Sequence, residues 1–369
     1  MAAMRLWPEW ACCAAALAAI CALPCFSQTN GRIPTFRVDS SLTLVDVIAE
    51  NAKTGLRTRE LLTDLRREDF RIFDNGHEMP IDTFDVGAEN TTRPIALWLI
   101  VQCNQTFDDG RRQSPGYHSM FIEGKTDFLK PALAHLGGND VIGVAHWCDN
   151  GHAVLDQIPS RDTGAARAKV EEVLDQKPIA GENRSGELAM QHMIRMILEN
   201  THQTKPIRLP IFLFLYGDGC ATYLGEANSI LRNLLETSGM VFGINDGTWP
   251  YTPPKNFPQI ASEVDPQQAK IFYLVHYYSQ QTGGEVYSTP DPKLFSAALD
   301  YILAQLHFRY TLGFRPTKLD GKRHTLRVDL TDEAKKRFLS AQLRFRPEYI
   351  PIATTHDGPQ NHFPKAPGK

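Results

Sequence analysis

The sequence predicts an α/β domain with a mostly parallel central sheet and helices on both faces. It sits between two β-rich flanks that are expected to pair into one β-sandwich-like domain. Three observations carry this expectation. Segments 95–101, 141–146, 209–216 and 240–244 are continuous apolar runs, as strands buried on both faces require. Stretches of helical period alternate with them. Before residue 91 and after residue 306 the pattern returns to alternation of period two, and neither end alone holds enough strands for independent stability.

The first segment, 1–27, reads as a secretory signal. One early base, Arg5, precedes an apolar run from Trp10 to Phe26, and Cys25-Phe-Ser27 offers small residues for cleavage. The run is about 17 residues, at the lower limit for a membrane span, and polar residues follow it without a basic cluster. A retained anchor is the competing reading. The expected location after cleavage is outside the cytoplasm, periplasmic or extracellular, with no further membrane span.

Residues 28–90 form the N-terminal flank. Positions 36–48 alternate and are rich in β-branched residues, 51–55 reads as a turn, 69–74 alternates again, and Asn75-Gly76 is a strong hairpin signal. The α/β domain occupies 91–306. Its helices are expected at 162–176, where Asp162 is the N-cap, then at 185–200, 226–237, 267–281 and 292–306. Gly283-Gly284 follows the fourth as a natural stop. The C-terminal flank, 307–350, carries strands at 309–314, 324–330 and 341–346 with Asp320-Gly321 as a turn. The tail, 351–369, is rich in Pro, Gly and His and reads as disordered.

Composition excludes several classes. With 39 Lys+Arg against 42 Asp+Glu the net charge is −3, without the basic domain of a nucleic-acid binder. Of seven cysteines, four lie in the first 27 residues, which leaves Cys103, Cys148 and Cys220 and removes a dense disulfide scaffold. No nucleophile elbow, Walker motif or dinucleotide fingerprint is present. The chain is therefore read as non-enzymatic.

Six motifs follow one another in order: Glu68-Asp-Phe-Arg-Ile-Phe-Asp-Asn-Gly76, the apolar strand before Gln102, Phe214-Leu-Tyr-Gly-Asp-Gly219, Gln281-Thr-Gly-Gly-Glu285, Arg309-Tyr-Thr-Leu-Gly-Phe-Arg-Pro316, and the closing pair Asp320-Gly-Lys-Arg-His324 and Arg344-Phe-Arg-Pro-Glu-Tyr349. Together they resemble bacterial secreted proteins with a von Willebrand factor A-related domain, of the kind abundant in acidobacteria. The resemblance covers most of the mature chain. It implies a Rossmann-like sheet of about six strands with ligand loops at the carboxyl ends. It also implies a metal-ion-dependent adhesion site. That site has an Asp-x-Ser-x-Ser loop after the first strand, a Thr before a later helix and an Asp after the fourth strand.

This sequence departs from that site. Gln102 stands for the Asp and Asn104 for the first Ser, while Thr106 keeps a hydroxyl. Asn183 stands where the Thr is expected, and Asp218 alone matches without compromise. Mg²⁺ demands near-ideal octahedral oxygen geometry and sheds water reluctantly, so it depends on carboxylates. One carboxylate among neutral amides and hydroxyls is expected to hold Mg²⁺ or Ca²⁺ weakly or not at all. Asp108 and Asp109 read as solvated loop acids. The partner implied is an unidentified protein ligand met by loops 102–116, 148–151, 181–187 and 218–225. The 246–266 segment joins that rim, with Trp249 and Tyr251 as aromatic anchors.

Two other constellations bear on function. Cys103, Cys148 and Cys220 each follow an apolar strand, and the strand order that the resemblance implies places them on one edge. A disulfide between two of them and three isolated thiols both stay open, and a redox enzyme using this edge is the alternative function, beside a purely structural envelope protein. His146, Cys148 and His152 have no standard zinc spacing, and a hairpin with polar ends is the simpler reading.

Overall fold

Strand formation in the N-terminal flank follows its alternating pattern. The computed structural model describes residues 42–51, 60–87, 94–102, 105–106, 129–134, 136–147, 153–175, 179–180, 186–202, 208–216, 224–245, 274–288 and 292–351. The flank supplies β1 (Thr43–Asn51), β2 (Phe70–Asp74), β3 (His77–Met79) and β4 (Thr83–Val86). Between β2 and β3, Asn75 and Gly76 both take positive φ, 49° and 85°. That backbone matches the twist of a tight hairpin and suits Asn-Gly.

The central region runs β5 (Ile95–Gln102), β6 (Gln105–Thr106), α1 (Leu129–Leu133), β7 (Val141–Trp147), β8 (Ala153–Ser160), α2 (Thr163–Asp175), β9 (Ile179–Ala180), α3 (Gly186–His202), β10 (Leu209–Tyr216), α4 (Leu224–Thr237), β11 (Met240–Asn245), α5 (Leu274–Thr282), β12 (Val286–Ser288) and α6 (Pro292–His307). Six of these strands form one sheet in the order β12-β11-β10-β5-β7-β8. The first five run parallel, and β8 returns antiparallel from β7 as an edge hairpin. In order of appearance this is 3-2-1-4-5-6, the doubly wound order whose direction reverses between β5 and β10.

Period-two geometry divides β5 between two cores. Leu97, Leu99 and Val101 face Val170 and Val173 of α2 and Leu299, Ile302 and Leu303 of α6. Trp98 and Ile100 face the other layer, with Met193 and Ile197 of α3, Leu231 and Leu234 of α4 and Tyr278 of α5. All these side chains are fully or almost fully buried, and each contributes roughly 1.5–3 kcal/mol by leaving water. Trp98 needs more than apolar contact. Its indole N–H donates to Thr201 Oγ1 at 3.1 Å, and its ring occupies the space that a Cβ at Gly143 would take, 2.6 Å away. The Asp162 N-cap of α2 is formed, with Oδ1 accepting from Ala165 N at 2.8 Å.

The chain closes with β13 (Tyr310–Phe314), β14 (His324–Leu330), α7 (Asp332–Arg337), β15 (Ala341–Arg344) and β16 (Glu348–Tyr349). Strands from the two flanks interleave in two four-stranded sheets, β15-β1-β13-β4 and β16-β14-β2-β3. Val45, Val47, Ile72, Leu312, Phe314, Leu326 and Val328 share one hydrophobic cluster. Neither flank makes either sheet alone. A buried ion pair, Arg309 Nε to Asp46 Oδ1 at 3.1 Å, ties β1 to the entry of β13.

This β body is bolted to the α/β region at defined points. Arg346 is buried, donating to Leu44 O at 2.6 Å, Ser238 Oγ at 2.9 Å and Leu235 O at 3.2 Å, so it joins β1 to the end of α4. Arg344 bonds Glu285 and donates to Gln305 Oε1 at 2.6 Å, and Tyr301 donates to Glu50 Oε2 at 2.7 Å. Gly283, at φ 82°, lets α5 end directly against the 345–346 backbone. Among the described residues, no helix is long and apolar enough to cross a membrane. The expected signal segment, 1–27, and the tail beyond 351 lie outside the described residues.

Candidate functional site

In an open α/β sheet the ligand crevice lies outside the carboxyl ends of the strands, where the strand order reverses. Here that point falls between β5 and β10, which pair in parallel up to Leu215 against Val101. Gln102 closes β5 there and is only 3% exposed. Asp218 follows two residues after the end of β10. The first and fourth strands of the sheet therefore end side by side, and Asp218 itself lies outside the described residues.

A second ladder gathers another part of the rim. β6 and β9 pair in parallel, with Gln105 opposite Ile179 and Thr106 opposite Ala180. Thr106, from the loop after β5, is thereby brought beside the segment leading to Asn183. The side chains of β6 and β9, and Asn104, Asn183, Asp218, Cys103, Cys148, Cys220, Trp249 and Tyr251 altogether, lie outside the described residues.

The neighbouring strand ends are built from neutral groups. Gln102 pairs in register with Trp147, the last residue of β7, which is fully buried against Phe214 in an edge-on contact at 5.6 Å. β10 ends on buried Tyr216 and β11 on buried Asn245. Ser288, at the end of β12, donates to Asn245 Oδ1 at 3.1 Å. Sequence reasoning misses the Asn245–Ser288 pair, because β12 is only three residues long and neither residue forms a recognisable motif. Its one signal is position: each residue closes a parallel strand.

His146 has a different partner from those the sequence offers. Its Nδ1 lies 2.8 Å from Asp156 of β8, with both side chains nearly buried. Asp156 reaches it across the β7–β8 hairpin, where His146 is opposite Val154. Cys148 and His152 lie outside the described residues. Among the described residues, no group of three or more His, Cys, Asp or Glu is placed to hold a metal ion. Of the residues expected at an adhesion site, Gln102 is the one whose side chain is described. As a neutral amide it supplies no charge to a divalent cation, so at this position the donor set fits Mg²⁺ poorly.

His276 lies in the first turn of α5. Burial pushes its imidazole down to about 4. The phenol of Tyr287 on β12 is raised well above its ordinary range, by burial first and then by the nearby Glu285 carboxylate. Both groups are neutral at physiological pH.

No protein-family model matches the chain, and no curated protein matches it. Solved structures are similar to it at low identity and low overlap. A von Willebrand factor type A protein from Catenulispora acidiphila is 12% identical over 78% of this chain and 75% of its own, with a TM-score of 0.39. The conserved hypothetical protein BatB from Bacteroides thetaiotaomicron is 10% identical over 57% of this chain and 98% of its own, with a TM-score of 0.35. The PilB minor pilin from Streptococcus sanguinis is 9% identical over 59% of this chain and 62% of its own, with a TM-score of 0.34. The assignment of a mixed α/β fold with a mostly parallel, doubly wound sheet rests on the strand order and register of this chain itself.

Proposed function

We propose that the chain is a secreted, non-catalytic protein-binding module of the adhesion type, whose partner is met by the loops at the carboxyl edge of the sheet with little or no help from a cation. In this reading a sandwich-like body built from both flanks carries the module. What supports it is that the β5 and β10 ends lie side by side at the reversal of strand order and that Gln102, which closes β5 there, is buried; in this reading Gln102 takes the place of a metal-binding carboxylate. Asp218 then serves the loop as a hydrogen-bond acceptor, and Asn104, Thr106 and Asn183 add neutral donors and acceptors. Trp249 and Tyr251 supply apolar anchor area. Such an interface is held by shape and hydrogen bonds.

Titration calorimetry of the mature protein with Mg²⁺ tests the central claim. No saturable heat is expected at micromolar cation, and Asp218→Ala is expected to change nothing. A micromolar affinity that Asp218→Ala abolishes would overturn the reading. Capture from the source envelope, compared with a chain altered at Asn104, Asp218 and Trp249, tests the surface: equal recovery of the same partner by both chains removes the loop edge as the contact. Alkylation rates of the three thiols across pH test the redox alternative, which requires a depressed thiol pKa.

A further inference from the structure

The β body holds a polar cluster that the proposed binding function does not use. His324, the first residue of β14, is 4% exposed and has a carboxylate at each ring nitrogen. Nδ1 lies 2.8 Å from Asp74 Oδ1, and Nε2 lies 3.2 Å from Asp320 Oδ1. Asp74, at the end of β2, is fully buried, and its other oxygen accepts from Thr317 N at 3.3 Å and Thr317 Oγ1 at 3.1 Å. The Asp320 side chain is 34% exposed, and the same Oδ1 accepts from Lys322 N at 3.0 Å.

An ionised carboxylate only accepts hydrogen bonds. A neutral imidazole has one donor and one acceptor nitrogen, while an imidazolium has two donors. Two flanking carboxylates are satisfied together only by the imidazolium. We propose that His324 is a proton-operated clasp: as an imidazolium it holds Asp74 and Asp320 at once and closes the 315–323 turn, and when it gives up its Nε2 proton to solvent the Asp320 arm opens.

The arm that opens follows from burial. Asp74 has no access to water, so the remaining proton stays on Nδ1 facing it. The Nε2 lone pair then confronts Asp320 Oδ1, and the part-exposed carboxylate turns to solvent. Tyr349 of β16 also faces the ring, its hydroxyl 3.3 Å from Nδ1. Its phenol is raised well above the ordinary range, by burial first and then by a hydrogen bond to Asp74, so it stays a neutral donor. Arg346, Lys322 and Arg323 are the nearby cations, acting on Tyr349, Asp320 and Glu348 respectively. They oppose a charge on the ring, whereas the two aspartates in direct contact favour it.

The clasp reaches beyond the β body. Gly321 O accepts from Arg232 of α4 at 3.3 Å, and Arg323 donates to Asn228 O of the same helix at 3.4 Å. α4 is the helix that follows the Asp218 loop. Closing the turn therefore seats it against the helix behind the proposed rim, which makes the seating dependent on pH.

Nitrogen NMR of the full chain labelled at histidine reads the proton count directly, and both His324 ring nitrogens are expected to be protonated at about pH 6. Amide exchange of Lys322, whose N–H is held by Asp320 Oδ1, normalised to the intrinsic rate, reads the opening. Protection is expected to fall about tenfold or more as pH rises from about 6 to about 9. In Asp320→Asn it is expected to stay constant, because an amide can accept from the imidazolium or donate to the neutral ring. A His324 with one bare ring nitrogen at pH 6, or the same loss of protection in both chains, overturns the clasp.

Discussion

Replacing Gly283 with Ala should destabilise the protein through two separable effects. The residue sits at φ 82°, where a side chain costs about 1–2 kcal/mol. Its Cβ would also stand 2.8 Å from the carbonyl carbon of Phe345 and 2.9 Å from Arg346 N, which are main-chain atoms that cannot rotate aside. Relieving such an overlap costs about 1–3 kcal/mol more. The expected total is about 2–5 kcal/mol, a large part of the roughly 5–15 kcal/mol that holds a domain together. Gly321 is the control. It sits at φ 66° with nothing within 4 Å of the position a Cβ would take, so Gly321→Ala should show the dihedral cost alone. Chemical denaturation of the three proteins, followed by far-UV circular dichroism, gives both differences. If Gly283→Ala costs no more than Gly321→Ala, the close approach of α5 to the 345–346 segment does not hold the two bodies together.

Two further predictions concern buried charge. Arg309→Met leaves the Asp46 carboxylate buried without its cation, although Thr311 Oγ1 still donates to it, and should cost about 3–5 kcal/mol, whereas a second change, Asp46→Leu, should recover most of the loss; additive losses in the denaturation midpoints would show that the two side chains act independently. For His276, the folded value of about 4 lies below the ordinary 6.5, so the unfolded chain takes up the proton first. The stability tied to the neutral ring is present above about pH 6.5 and lost as pH falls to about 4, by up to about 3 kcal/mol. His276→Gln should flatten that part of the pH–stability curve, and an unchanged slope refutes the assignment.

The parallel strands were legible because burial on both faces writes a continuous apolar run. The run at 209–216 coincides with β10, and the expected helix at 162–176 becomes α2 at Thr163–Asp175. Elements without such a signature were hidden. β8 is an edge strand with exposed Ile158 and a proline at 159, and its residues are mostly half-buried, so neither periodicity nor length marks it. α7 carried a readable signal, since Thr331 caps it through Ala334 N and Asp332 and Glu333 open its first turn, but at six residues it is too short for a hydrophobic period. At the candidate site, the strand ends could be placed from sequence because apolar runs stop there. The Asp156 partner of His146 could not, because it depends on the register of a hairpin containing irregular pairings.

Four of the six motifs that carried the resemblance, those outside the ends of β5 and β10, have a common physical explanation. Asn75-Gly76 makes the β2–β3 turn, and Thr282-Gly283-Gly284 ends α5 against the β body, with Thr282 Oγ1 accepting from Val241 N at 2.9 Å. Tyr310 donates to Leu62 O at 2.8 Å and accepts from Leu65 N at 3.0 Å, and a Cβ at Gly313 would collide with Thr83. His324, Arg344, Arg346 and Tyr349 close the junctions already described. Each of these residues holds the frame, and none of them lies at the carboxyl edge of the central sheet. A chain can therefore keep every one of them while its ligand loops change, because these contacts are made away from the loops. The same separation fits the proposed reading of Gln102 as a replacement for a carboxylate: a buried neutral amide costs less there than an uncompensated charge. Chemistry at the rim must accordingly be inferred from the rim residues themselves, and the proposed reading of them, neutral donors and acceptors with one carboxylate, predicts an interface held by hydrogen bonding and shape.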